Sequence, residues 1–128
     1  MENKLPNGWI ATTINKIAVT KSGGTPSTNR PEYWDGKVPW INSGALKDSP
    51  IYTPSKYITD LGLKNSSATL FPPKTVVIAL TGATTGKLGF LEIETSTNQS
   101  VTGILPNKGF SPKFIFYQLL LLRSDILS

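Results

Sequence analysis

Apolar residues fall along this chain in short clusters separated by turn-forming stretches, which predicts brief strands and few long helices. Residues 75–80, TVVIAL, are continuously apolar and rich in β-branched side chains, so they predict a buried strand. Residues 88–93 and 101–105 predict two more strands, the first following a loop at 81–87. Upstream, 9–13 reads as a short strand, 14–18 as one helical turn, and 19–22 as an extended segment running into a glycine loop. Residues 31–34 predict a short helix with Pro31 in its first turn and Thr28 or Asn29 as its cap. Residues 38–41 predict a strand that exits through 42–44, and Thr59 caps a second short helix ending near Gly62. After a turn at 106–109, Ser111 and Pro112 supply the cap and first position of a C-terminal helix. Phe114, Ile115, Phe116, Tyr117 and the leucines 119–122 leave that helix apolar almost all round. Such a helix needs cover on every side, from the domain itself or from a continuation and a partner.

Composition narrows the class. At 128 residues the chain is most simply one domain, and ten prolines with eleven glycines fit a fold of many turns. The absence of cysteine excludes disulfide and thiolate chemistry, and the absence of histidine removes the commonest general base and transition-metal ligand. The N-terminus has no apolar core of a signal peptide, and no apolar run approaches the length of a membrane span, so a cytoplasmic protein is expected. A net charge of +5 suits an anionic partner, nucleic acid first. Eleven of the thirteen positive residues are lysines spread along the chain, and Arg30 and Arg123 stand apart from them.

The densest candidate chemistry lies at residues 22–40, SGGTPSTNRPEYWDGKVPW. Gly23 and Gly24 can take positive φ, which turns the backbone tightly and exposes its N–H groups. Thr25, Ser27, Thr28 and Asn29 add donors and acceptors, and Arg30 adds a planar charged fork that suits a phosphate or a guanine edge. Tyr33 is the aromatic placed to reach a ligand, whereas Trp9, Trp34 and Trp40 are expected in the core, the usual place of tryptophan in a small domain. Asn98 and Gln99 can each meet adenine in a bidentate manner, or can close a loop on its own backbone. The loop TGATTGK at 81–87 offers Lys87 with Thr81, Thr84 and Thr85 to a nucleic-acid backbone, or is a glycine hairpin with a solvated lysine.

Several enzymatic readings fail on detail. Gly82 and Gly86 are separated by three residues and Leu88 follows Lys87, whereas a nucleotide-binding P-loop needs four residues there and a hydroxyl after the lysine. Asp35-Gly36-Lys37 has a nuclease-like spacing but no second carboxylate placed to share a magnesium ion, and it reads better as a turn into the strand at 38–41. No glycine-rich cofactor loop or methyltransferase tetrapeptide is present, so no cofactor is expected.

In order and spacing, the chain resembles the DNA target recognition domain of type I restriction-modification specificity subunits. The resemblance is carried by LPNGW at 5–9, SGGTPST at 22–28, PEYW at 31–34, VPWIN at 38–42, YITDLGL at 57–63, TGATTGK at 81–87, TNQ at 97–99 and SPKF at 111–114. It implies a compact α/β (α+β) domain with a mainly antiparallel twisted sheet and short flanking helices, covering residues 1–128. Family members carry two such domains, each followed by a long helix. Here the C-terminal helix from about residue 111 leads toward that missing region, as expected of a truncated or half-length subunit. The implied activity is binding of one half of a bipartite double-stranded DNA site, without catalysis. The implied partners are a methyltransferase (modification) subunit and a nuclease-translocase (restriction) subunit, with self-association through the C-terminal helix. The expected DNA-facing set is Thr25, Ser27, Thr28, Asn29, Arg30, Tyr33, Asn42, Ser43, Thr81, Thr84, Thr85, Lys87, Asn98, Gln99 and Ser100. The alternatives are a carbohydrate-binding module, since the loops are rich in Gly, Thr, Asn and aromatics, and the recognition domain of a single-chain restriction-methylation enzyme.

Overall fold

The apolar run at 75–80 supplies the middle strand of the larger of two sheets. The computed structural model describes residues 18–106 and 111–127. Their strands are β1 (Ala18–Ser22), β2 (Trp34–Ile41), β3 (Ser49–Ile51), β4 (Lys56–Ile58), β5 (Val76–Ala79), β6 (Leu88–Leu91), β7 (Ser96–Thr97) and β8 (Val101–Pro106). Helices α1 (Asp60–Lys64) and α2 (Pro112–Leu127) and the 3-10 turns Pro31–Tyr33 and Ser43–Ala45 flank them. The larger sheet has the order β1-β8-β5-β6-β3 and the smaller the order β4-β2-β7. Pairing is antiparallel except for β3 with β6 and β2 with β7. This is the expected mixed α/β class with a mainly antiparallel sheet.

Alternation along β5 explains why its sequence is apolar throughout. Val76 and Ile78 face α2, packing with Leu88, Phe90, Ile104, Ile115, Phe116 and Leu119. Val77 and Ala79 face the other way, into a cluster with Ile41, Leu46, Ile51, Phe71, Leu91 and Val101. A strand covered on both faces carries no polar positions. Leu80 departs from the expected buried run: it lies past the strand end and is 55% exposed.

Among the described residues, helix α2 buries one side on the sheet. Ile115, Phe116 and Leu119 are buried on the sheet, while Phe114, Tyr117 and Leu121 are exposed. Its cap is the expected one, the Phe114 N–H donating to Ser111 Oγ at 3.0 Å. Thr59 also caps as expected, accepting from the Gly62 N–H at 3.0 Å, and α1 continues to Lys64. The expected short helix at 31–34 is present as a 3-10 helix over Pro31–Tyr33 with Pro31 in its first turn, closed by the Tyr33 N–H on the Arg30 carbonyl at 3.0 Å. Arg30 occupies its capping position without a side-chain capping bond, so neither Thr28 nor Asn29 caps it. Asp35-Gly36 is a bulge within β2, not a turn before it: Asp35 has φ 62°, and Trp34 and Val38 both stand opposite Ile58. Ala18, the end of the expected helical turn at 14–18, opens β1, and Pro106, the start of the expected turn at 106–109, closes β8; the expected strand at 9–13, Trp9 and the rest of both turns lie outside the described residues.

Candidate nucleic-acid interface

Four segments meet at one edge of the sheets. β1 ends at Ser22 opposite Thr102, β5 ends at Ala79 opposite Val101, β6 begins at Leu88 opposite Ile78, and β2 ends at Ile41 beside Thr97. Residues 23–30, 42–43, 80–87 and 98–100 therefore leave or enter the sheets together. Hydrogen bonds stitch them into one surface. Thr25 donates to the Gln99 side-chain oxygen, Thr81 to Ser100 Oγ at 2.8 Å, and Thr84 to the Ser43 carbonyl at 2.9 Å. The Asn98 N–H donates to the Ile41 carbonyl at 3.0 Å.

The paired glycines at 23–24 act by close approach, not by the expected positive φ and free N–H groups. The positive-φ glycines among the described residues are Gly82 and Gly86. Gly23 and Gly24 are buried, and their N–H groups donate to Val101 and Thr97 carbonyls, each at 2.9 Å. A Cβ on Gly23 would stand 2.0 Å from Thr97 Oγ1, and one on Gly24 2.3 Å from Ser67 Oγ. Only the bare backbone fits between these neighbours.

The amide and hydroxyl groups partly hold their own loops in shape. Asn42 Oδ1 accepts from the Gly44 N–H at 3.1 Å, Asn98 Oδ1 from the Ser100 N–H at 3.2 Å, and Thr85 donates to the Gly82 carbonyl at 2.6 Å. Ser27, Thr28, Asn29 and Arg30 are exposed, with Arg30 only loosely paired to Glu32 at 3.5 Å. Tyr33 is half-buried where Gly62 of α1 leaves room for it, and its side chain makes no hydrogen bond or ring contact with the other candidates among the described residues.

Trp40 is in the core as expected, but Trp34 is only half-buried. Its ring meets Trp40 edge-on with centroids 5.4 Å apart, its N–H donates to the Ser27 carbonyl at 3.1 Å, and the Lys56 ammonium lies 5.6 Å from the ring centre. Trp34 lines a shallow cleft of about 650 Å³ with Thr28, Asp35, Gly36, Ser55, Lys56 and Tyr57. Ser55 Oγ accepts from the Asn42 N–H at 3.3 Å, so the cleft continues the surface. Ser55, Lys56 and Tyr57 were not among the sequence candidates. They sit in and beside a three-residue strand, where only Tyr57 belongs to a motif, the YITDLGL at 57–63.

Lys87 is half-exposed and pairs with Asp48 at 3.6 Å. Asp48, at φ 61°, also takes the Arg123 guanidinium of α2 and the Leu88 N–H at 2.9 Å. Burial alone would raise its carboxyl pKa. The Arg123 and Leu88 hydrogen bonds and the charges of Arg123 and Lys87 outweigh burial and hold it below the usual carboxylate range. One carboxylate thus ties the last turns of α2 to the end of the 81–87 loop. Among the described residues no group of three or more Asp, Glu, His or Cys side chains comes together as a metal site would require.

The family described as the type I restriction modification DNA specificity domain matches residues 6–128. The chain belongs to this family. It is 30% identical over 117 residues to the type I restriction enzyme MjaIX specificity subunit of Methanocaldococcus jannaschii, a match covering 89% of this chain and 27% of that one. It is 27% identical over 119 residues to the EcoR124I/EcoR124II specificity subunit of Escherichia coli, covering 90% of this chain and 30% of that one. The fold is shared with the HsdS subunit from Thermoanaerobacter tengcongensis, at a TM-score of 0.66 and 14% identity over 88% of this chain and 27% of that one. The type I S subunit from M. genitalium gives a TM-score of 0.61 at 18% identity, over 88% of this chain and 26% of that one. The chain spans less than a third of the length of each of these relatives. In this specificity domain the structure joins Thr25, Asn42, Ser43, Thr81, Thr84, Asn98, Gln99 and Ser100 at one edge, with residues 27–30 beside them. Tyr33 stands apart against α1.

Proposed function

We propose that this specificity domain is a single DNA target recognition unit that binds one half of a bipartite double-stranded site, chiefly in the major groove, and performs no chemistry itself. The observation that carries this reading is the meeting of four hydroxyl- and amide-rich segments at one sheet edge of a chain with net charge +5. Base edges are read by such groups held on a rigid scaffold, and phosphates by the flanking cations. Thr25, Ser27, Thr28, Asn29, Arg30, Tyr33, Asn42, Ser43, Thr81, Thr84, Thr85, Lys87, Asn98, Gln99 and Ser100 form the proposed contact set, extended by Lys56. Methyl transfer and cleavage belong to modification and restriction partner subunits in the cytoplasm, along with their S-adenosylmethionine, ATP and magnesium. No helix among the described residues is long and apolar enough to cross a membrane.

Binding to duplex DNA is expected to weaken steeply with salt. Contacts to about four phosphates give a log–log slope of about −3.6, read by fluorescence anisotropy across a salt series. Salt-independent binding, or preference for a soluble glycan over duplex DNA, would instead identify a carbohydrate-binding module.

The exposed side of α2 carries Tyr117 and Leu121, four positions apart on one helical face. We infer that this stripe drives self-association of the isolated chain, by burial of apolar surface. Light scattering should show a mass that grows with concentration, and Tyr117→Lys with Leu121→Lys should restore the monomer. A wild type that stays monomeric at every concentration excludes the idea.

A further inference from the structure

We propose that Leu80 is a specificity-determining residue of this domain, and that it reads the C5-methyl group of a pyrimidine in the major groove. The inference rests on the DNA-binding reading above and goes beyond it to one residue and one chemical group. Leu80 is the only exposed large hydrophobic side chain among the described residues of the four convergent segments. Isolated exposed leucines are ordinary on protein surfaces, so exposure alone carries nothing. Placement is what separates this one.

Leu80 follows the last residue of β5, at the edge where the four segments meet. Its N–H donates to the Ser100 carbonyl at 2.8 Å. The residue before it, Ala79, donates to the Lys87 carbonyl at 3.0 Å and accepts from the Gly86 N–H at 2.7 Å. The residue after it, Thr81, donates to Ser100 Oγ at 2.8 Å. Its backbone is therefore fixed from both sides, between the 81–87 loop and the 98–100 turn, and little further ordering of the chain is needed on binding. Around it the exposed groups are hydroxyls and amides, which match the donor and acceptor atoms of base edges. The one apolar feature on the major-groove edge of a base pair is the pyrimidine C5-methyl, and apolar contact is how it is read. Thymine and 5-methylcytosine both present that methyl.

The test begins with selection of duplexes from an unmodified random pool by the 128-residue chain. Each thymine of the enriched duplex is then replaced singly by uracil, which removes the methyl and nothing else, and each cytosine by 5-methylcytosine, which adds it. The expected result is that uracil at one position weakens binding by about fourfold, the worth of one buried methyl. Leu80→Ala should not feel that replacement, and Leu80→Met should. A gain of similar size on methylating one cytosine, lost in Leu80→Ala, would support 5-methylcytosine as the source. Thermal melts should show Leu80→Ala folding like the wild type, as suits an exposed side chain. If the wild type enriches a duplex but tolerates every replacement, or if Leu80→Ala shows the same losses as the wild type, the assignment to Leu80 is overturned while DNA binding stands. If the wild type enriches no duplex at all, the DNA-binding reading itself falls.

Discussion

Trp40→Ala is expected to destabilise the domain by about 3–5 kcal/mol, the usual cost of deleting a large buried aromatic. Trp40 is 6% exposed and lies in the middle strand of the smaller sheet, paired with Lys56 on one side and Ser96 on the other. Its N–H donates to the Gly24 carbonyl at 3.1 Å, a buried bond between β2 and the glycine pair. Alanine would remove the ring, the edge contact with Trp34 and this donor together. Trp40→Phe keeps most of the packing and loses the bond, so it should cost less, with about 1 kcal/mol for the unpaired acceptor on top of any misfit. Arg30→Ala should change stability by less than about 1 kcal/mol because its pair with Glu32 is exposed on both sides, and Lys87→Ala by a similar amount because the half-covered Asp48 keeps its bonds to Arg123 and the Leu88 N–H, while both weaken DNA binding. Urea titrations and anisotropy on the same proteins give both quantities. A Trp40→Ala protein as stable as the wild type that no longer binds DNA would make Trp40 a ligand contact and refute its place in the core.

What the sequence makes legible here is what is local. The run at 75–80 announces a strand because both of its faces are covered, and Thr59 and Ser111 announce caps because the bonds they make span three residues. β3 and β7 escape detection because they are two or three residues long and pair in parallel with distant strands, which leaves no alternation to read. The role of Arg123 is equally hidden, since its partner Asp48 lies 75 positions away. Residue types mark the candidate loops, but not which of them meet. Thr25 with Gln99 and Thr81 with Ser100 are contacts that only the strand order creates. Trp34 differs from the core position expected of it because its ring is covered by Trp40 at one edge and left open to the cleft beside Lys56.

Gly23→Ala tests the non-local role of the glycine pair. A methyl there would stand 2.0 Å from Thr97 Oγ1, 2.2 Å from the Asn98 carbonyl oxygen and 2.5 Å from the Thr97 carbonyl oxygen. Two of these three neighbours are backbone, and Thr97 is fully buried in β7, so neither can swing aside. The segment has to move away, which breaks the Gly23–Val101 and Gly24–Thr97 bonds and draws Thr25 from Gln99. Overpacking and two lost hydrogen bonds together should cost at least about 3 kcal/mol, and DNA affinity should fall even where the protein remains folded. Gly82→Ala is the comparison. Nothing lies within 4 Å of a Cβ there, and only its φ of +88° opposes a side chain, a penalty of about 1–2 kcal/mol. If Gly23 served only to let the backbone turn, the two variants would be alike or Gly82→Ala the worse. Urea denaturation that places Gly23→Ala within about 1 kcal/mol of the wild type would show that the loop can absorb the methyl, and that close approach does not explain the glycine.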